Sequence, residues 1–170
     1  MFGWFKKANA DAGAVRKWRD ATTRIAREPE PYLRGWTPDT IYGRFHMVSL
    51  VATLVMRRFR DAGREGQALS KAYAELLFSD FDHSLREHGV GDSSIARRIR
   101  KMGEEFYGLA KAVDEALEQG GPDKHLSEVI QRNIQHDPEK ALELAKYVLD
   151  LNERVERIPA ELIPVGPKEI

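Results

Sequence analysis

Cysteine is absent from the 170-residue sequence, and features that define several common protein classes are missing with it. Without cysteine there are no structural disulfides and no thiolate metal sites, which suits a reducing compartment. The longest stretch without a charged residue runs from Phe45 to Met56, whereas a membrane-spanning helix needs about 20 apolar residues. The start of the chain also lacks the apolar core and cleavage site of a signal peptide. We therefore expect a cytoplasmic protein that does not cross a bilayer.

Motifs that identify common enzymes are missing as well. There is no Gly-x-Ser-x-Gly nucleophile motif, no Gly-x-x-x-x-Gly-Lys-Ser/Thr phosphate loop and no His-Glu-x-x-His zinc motif. Asp80 and His83 have the i, i+3 spacing of half a di-iron site, but the second half and the additional glutamates of such a bundle are missing. We predict no catalytic residue, no metal site and no cofactor, and an enzyme is kept only as an alternative.

The charges balance to a formal net charge of zero, but they are unevenly distributed along the chain. Residues 1–60 hold 12 basic and 5 acidic side chains. Such a basic third is most often a solvated surface, although it can also bind the phosphates of RNA or of anionic lipids. One alternative is therefore an RNA- or ribosome-binding helical module that uses Lys6, Lys7, Arg16, Lys17, Arg19, Arg24 and Arg27. Another is a peripheral membrane contact through Phe2, Trp4, Phe5, Lys6 and Lys7.

Proline and glycine divide the chain into segments whose apolar residues repeat at helical spacing. We predict an all-α, single-domain bundle of about six helices at residues 11–158, after a flexible segment at 1–10 and before an extended tail at 159–170. The predicted helices begin near residues 11, 38, 65, 92, 123 and 138. Thr37 and Asp137 are the expected N-caps of the second and sixth helices, and Gly89 the expected left-handed cap of the third.

The second predicted helix is apolar around most of its circumference, which places it at the centre of the bundle. A narrow strip of uncharged polar residues remains on it: His46, Ser49 and Thr53. Such a strip usually packs against a neighbouring helix with its hydroxyls hydrogen-bonded. The alternative is that it lines a groove for a partner, and we keep these three residues as a candidate groove.

Two nearby aspartates on the third predicted helix face opposite sides. Asp80 falls inside the apolar arc, whereas Asp82 points away from it. A carboxylate in an apolar arc needs a charged or hydrogen-bonding partner, because burying it alone is costly. The tight turn at Gly89 and Gly91 would fold the third and fourth helices antiparallel. Arg97, Arg98, Arg100 and Lys101 of the fourth helix are mostly expected to form a solvated face, with i, i+4 pairs to Glu104 and Glu105. The alternative is that one of the four pairs with Asp80.

Two long stretches carry a family resemblance. "TPDTIYGRFHMVSLVATLVMRRFRDAG" (37–63) and "LLFSDFDHSLREHGVGDSSIARRIRKMGEEFYG" (76–108) together resemble the ubiquinol-cytochrome c chaperone family, whose members assist assembly of the cytochrome bc1 respiratory complex. The Asp-x-Asp, Leu-Arg-Glu, Gly-Val-Gly-Asp and Phe-Tyr-Gly elements are specific in combination. A looser match follows at "RNIQHDPEKALELAKYV" (132–148). Relatives often continue Phe-Tyr-Gly with arginine, whereas Leu109 stands here.

The resemblance implies an all-helical, non-enzymatic chaperone that binds newly made cytochrome b until haem is inserted and partner subunits join. Contact with the ribosome and with the cytoplasmic face of the inner membrane would suit that role, and DNA is not an expected partner. The resemblance also marks Leu85, Glu87, Val90 and Gly108 as matching the family pattern. Nine further matching positions are the candidates for binding a partner: Asp80, Asp82, Arg86, Gly89, Gly91, Asp92, Lys101, Phe106 and Tyr107. The candidate groove at His46, Ser49 and Thr53 would then hold the client.

Overall fold

The computed structural model describes secondary structure for residues 2–170 and side chains for residues 12–170. Within that range the chain forms seven α-helices and two short 3₁₀ turns, at Arg60–Ala62 and Ala160–Leu162, and no β-strand. The helices are α1 (Phe2–Ala26), α2 (Glu30–Leu33), α3 (Ile41–Phe59), α4 (Gly63–Glu87), α5 (Asp92–Glu118), α6 (Pro122–Asn133) and α7 (Pro138–Glu156).

The all-α prediction is confirmed, and the six longer helices correspond to the six predicted ones. The one-turn helix α2 between the first two was not predicted. The predicted flexible segment at 1–10, and the predicted membrane contact of Phe2, Trp4, Phe5, Lys6 and Lys7, fall outside the described side chains.

The start of α3 differs from the prediction by one turn. Thr40, and not Thr37, is the N-cap: its backbone is extended and its hydroxyl accepts a hydrogen bond from the Gly43 amide at 3.1 Å. Thr37 is buried instead, with its hydroxyl 3.5 Å from the Gly43 carbonyl. The preceding segment folds tightly over this turn, so that a Cβ on Gly43 would lie 1.8 Å from the Pro38 oxygen.

The predicted caps of α4 and α7 are confirmed. Gly89 has a φ of 76°, and the amides of Gly89 and Val90 donate to the carbonyls of Arg86 and Leu85 in the paired pattern of a Schellman cap. The Asp137 side chain accepts hydrogen bonds from the amides of residues 139 and 140 at the start of α7. These local signals determine where α4 turns into α5 and where α7 begins.

Helix α3 lies at the centre, packed against α1, α4, α5 and α7, as its sequence predicted. On one side it forms an apolar cluster with α5, α6 and α7, and on the other a cluster with α1, α4 and α5. The second cluster is rich in aromatic rings, with Trp18 and Tyr73 each in edge-to-face contact with Phe59. Tyr73 is fully buried, and its hydroxyl lies 2.6 Å from that of Thr22 on α1.

The C-terminal tail packs back onto α1. The Trp18 indole donates to the Ile163 carbonyl at 3.0 Å, and both residues are buried. Gly166 has a φ of 81° and lies so close to α1 that an added Cβ would come within 2.7 Å of the Lys17 Cβ. Arg154 of α7 donates to the carbonyl of Ile170 at 2.7 Å. The tail therefore contacts both α1 and α7 and links the first helix to the last.

Candidate partner-binding cleft

Asp80 has the ionic partner that its position demanded, but the partner lies on α1. The Arg19 guanidinium is 3.0 Å and 3.2 Å from the two Asp80 oxygens. The alternative of a partner on α5 was wrong, because α1 packs along this part of α4. Of the four α5 candidates, three are exposed basic residues with no ion pair to a described residue, and Lys101 pairs with Glu105 at 3.7 Å.

The Arg19–Asp80 pair stands at the edge of an open cleft of about 1140 Å³. Its walls are the C-terminal half of α1, the first two turns of α3 and the C-terminal half of α4. Ile41, Val48 and Phe81 are half-buried, so their apolar surface is accessible from the cleft. The floor is apolar and consists of Ile41, Phe45, Val48, Leu77, Phe81 and Met102.

The rim of the cleft is charged. Arg44 of α3 donates to Asp39 at 2.7 Å, and this hydrogen bond lowers the pKa of the Asp39 carboxyl. On α4, His83 and Glu87 lie 3.3 Å apart in the last two turns. An apolar floor inside a charged rim has the composition of a protein-binding surface, whose centre is depleted in charge.

Two of the three candidate groove residues lie elsewhere. Ser49 and Thr53 have only 0% and 3% of their surface exposed, and their hydroxyls donate to the carbonyls of Phe45 and Ser49 one turn earlier. They do not line an open groove in this structure, because α3 is covered by its neighbours on that side. His46 is half-buried beside the rings of Tyr42 and Phe45. Desolvation lowers the pKa of its imidazole, against an opposing attraction from Glu105.

Three of the partner-binding candidates form a cluster at the α4–α5 corner. Arg86 donates to Asp82 at 2.7 Å and to Asp92 at 2.6 Å, so that one guanidinium links the end of α4 to the start of α5. The hydrogen bond from Arg86 lowers the pKa of Asp82. Gly89 and Gly91 form the exposed turn between the two helices. The corner is therefore preorganised by its own charges, on the surface of the molecule and not inside the cleft.

The remaining candidates lie on α5. Tyr107 is 54% exposed and stacks on Phe78 at a centroid distance of 6.3 Å, whereas Phe106 is fully buried in the core. Among the described residues no atom lies within 4 Å of the position of a Cβ on Gly108, and Gly103 faces only the ring of Phe78. Asp80 is thus the only predicted partner-binding residue that lines the cleft.

Most of the other cleft residues carry no signal of a client site in the sequence. Val48 and Phe81 look like ordinary members of an apolar stripe, and Arg24 and Arg27 were predicted only as part of a solvated basic surface or of an RNA-binding one. The signal that pointed here was Asp80, because a carboxylate within an apolar arc marks the place where that arc is not fully covered.

None of the helices in the described part of the chain is long and apolar enough to cross a membrane. The same residues contain no group of three or more histidine and carboxylate side chains placed to hold a metal ion.

Comparisons with known proteins agree with the fold and with the sequence motifs. The sequence model of the ubiquinol-cytochrome C chaperone family matches residues 36–169. The crystal structure of the Cbp3 homolog from Brucella abortus is similar, with 30% sequence identity and a TM-score of 0.85 over 98% of this chain and 93% of that one. Comparison with curated proteins gives no match. Since the family match spans most of the sequence, the chain belongs to the ubiquinol-cytochrome c chaperone family.

Proposed function

We propose that this protein is a non-enzymatic assembly chaperone that binds newly made cytochrome b in the cleft between α1, α3 and α4. The observation that carries the proposal is the cleft itself, with an apolar floor and a charged rim in a member of a chaperone family. Its volume of about 1140 Å³ exceeds the roughly 300–1,000 Å³ of small-molecule pockets, which suits several side chains of a polypeptide.

The cleft would act through binding energy alone. Apolar side chains of an unassembled client would cover Ile41, Val48 and Phe81 and remove their surface from water. Release needs no nucleotide, because the assembly contacts of the client compete for the same apolar surface by mass action. Rim charges contribute little affinity where they stay solvated, and mainly restrict which segment is accepted.

Ile41→Glu tests the location of the site. Ile41 is the first residue of α3, where a carboxylate suits the helix dipole, so the fold should tolerate the change while the floor becomes charged. We expect at least about a tenfold loss of cytochrome b capture in co-purification from detergent-solubilised membranes, with less assembled bc1 complex in cells. The matched control is Leu33→Glu, an equal change at a residue that is 83% exposed and outside the cleft. Normal capture by a folded Ile41→Glu variant would place the client elsewhere.

A ribosome contact and a peripheral contact with the cytoplasmic face of the inner membrane belong to the same proposal, since a membrane-embedded client emerges there. Among the described basic residues at positions 16–27, Lys17 and Arg19 are bonded within the protein, to the Val165 carbonyl and to Asp80. Arg16 lines a second groove between α1 and α4, whereas Arg24 and Arg27 line the cleft. No observation favours the RNA-binding alternative over the chaperone.

A further inference from the structure

The acidic residues that line the cleft leave two of its arginines without an ion pair among the described residues. Arg19 is bound to both Asp20 and Asp80, Arg44 to Asp39, and Glu87 faces His83. Arg24 and Arg27 also line the cleft, both are exposed, and neither makes an ion pair or a side-chain hydrogen bond with any described residue. Arg24 lies in the last turn of α1 and Arg27 directly follows that helix, so the two guanidinium groups stand on the same wall of the cleft.

The wall of the cleft that α4 forms carries negative charge. It consists of the last turns of α4, with Ser84, Glu87 and His88, where the helix C-terminus adds a partial negative charge. A client segment therefore meets unmatched cations on the α1 side and a carboxylate on the α4 side. The favoured occupant carries carboxylates along the edge that faces α1 and none along the edge that faces α4.

The backbone of the cleft limits the conformation of its occupant. The walls are mainly α-helical, and the described residues contain no strand edge with which an extended segment could pair. A bound segment must satisfy its own backbone hydrogen bonds, which an amphipathic helix lying in the groove does.

On the basis of the proposed function, we infer that the cleft selects an amphipathic helix with an acidic edge, and that Arg24 and Arg27 bind the carboxylates of that edge. The client segment is thus chosen by charge as well as by apolar surface. Carboxylates are natural partners for arginine, because the planar guanidinium can bind both oxygens at once.

Two synthetic helical peptides of about 18 residues, or five turns, provide the probe. They share one leucine-rich face and differ only in carrying glutamate or lysine along one edge. Fluorescence anisotropy with the full-length protein should show about tenfold tighter binding of the glutamate peptide at low salt. The difference should shrink as salt rises, since the rim is exposed to solvent.

Arg24→Glu/Arg27→Glu should reverse the preference, and Arg24→Gln/Arg27→Gln should remove it. Circular dichroism verifies folding, which exposed substitutions should not disturb. The matched control is Arg97→Glu/Arg98→Glu, the same charge reversal on the exposed face of α5, and it should keep the wild-type preference.

Equal affinities, no binding of either peptide, or an unchanged preference in Arg24→Glu/Arg27→Glu would overturn the inference. Each of these outcomes leaves the proposed function intact if the Ile41→Glu variant still captures less cytochrome b in co-purification. If instead the peptides behave as expected and Ile41→Glu captures cytochrome b normally, the cleft recognises acidic helices but is not the client site.

Discussion

The two sides of α3 show how differently one helix can be used. Toward its covered side it places Ser49 and Thr53, which are buried and donate their hydroxyl hydrogens to the helix's own carbonyls. Toward the cleft it places Ile41 and Val48, which are apolar yet only half-buried. Aliphatic side chains are usually buried and hydroxyl groups are usually accessible to solvent. On α3 this arrangement is reversed, because the hydroxyls are buried and the aliphatic groups are accessible. These accessible apolar residues are the part of α3 on which the proposed binding of a client depends.

The largest effect should follow from charging the covered side. Ser49→Asp would bury a carboxylate where the hydroxyl now bonds only to the helix backbone, and we expect a loss of at least about 3 kcal/mol in the free energy of unfolding. Urea denaturation measures it. Ser93→Asp, an exposed position in the first turn of α5, is the matched control and should change stability by less than about 0.5 kcal/mol. Similar stabilities for the two variants would mean that the side we describe as covered is open to water.

A smaller loss should come from the α3–α4 corner, which sets the direction in which α4 leaves α3. A Cβ on Gly66 would lie 1.6 Å from the Phe59 carbonyl oxygen, and backbone cannot move away as a side chain can. We expect Gly66→Ala to lower the free energy of unfolding by about 2 to 3 kcal/mol.

Gly108→Ala is the matched control for that substitution. It adds the same methyl group in a helix where no described atom lies within 4 Å, and should raise stability by about 0.5 to 1 kcal/mol. Thermal unfolding that ranks the two variants in the opposite order would contradict the close approach at the corner.

The smallest effect is a pH dependence arising from His46. Burial lowers the pKa of its imidazole, so between the folded and unfolded pKa values the unfolded chain binds more protons. Stability from this residue is therefore fully present above the usual histidine pKa and is lost as the pH falls below it. His46→Gln should flatten that part of the profile of unfolding free energy against pH. An unchanged slope in the variant would show that the ring is solvated.

Local features of the fold could be predicted from sequence because their causes are local. Gly89 ends α4 and Asp137 starts α7 through hydrogen bonds that span only a few residues. The start of α3 was missed although it is equally short-range. Both Thr37 and Thr40 can cap a helix, and the choice depends on how the chain packs before Gly43.

The candidate site was less predictable, because it depends on which helices meet. Periodicity showed that Asp80 needed a partner, but it could not show that α1 rather than α5 covers that part of α4. Ser49 and Val48 were unpredictable for the same reason. Periodicity gives the side of α3 on which each residue lies, but it does not show which of these sides another helix covers. The family motifs marked the α4–α5 corner, where Arg86 joins Asp82 to Asp92, and of the cleft residues they included only Asp80 and Glu87.

The bond between the Trp18 indole and the Ile163 carbonyl has a consequence for synthesis, because its two ends are 145 residues apart. At about 5–20 residues per second, roughly 7 to 30 s separate the translation of one end from that of the other. Until then the tail does not hold the first helix, and the arginine wall of the cleft is positioned only by contacts with residues already translated. In a chain that is still being translated, the cleft is therefore incompletely supported. Client binding begins only when translation of the protein is nearly complete.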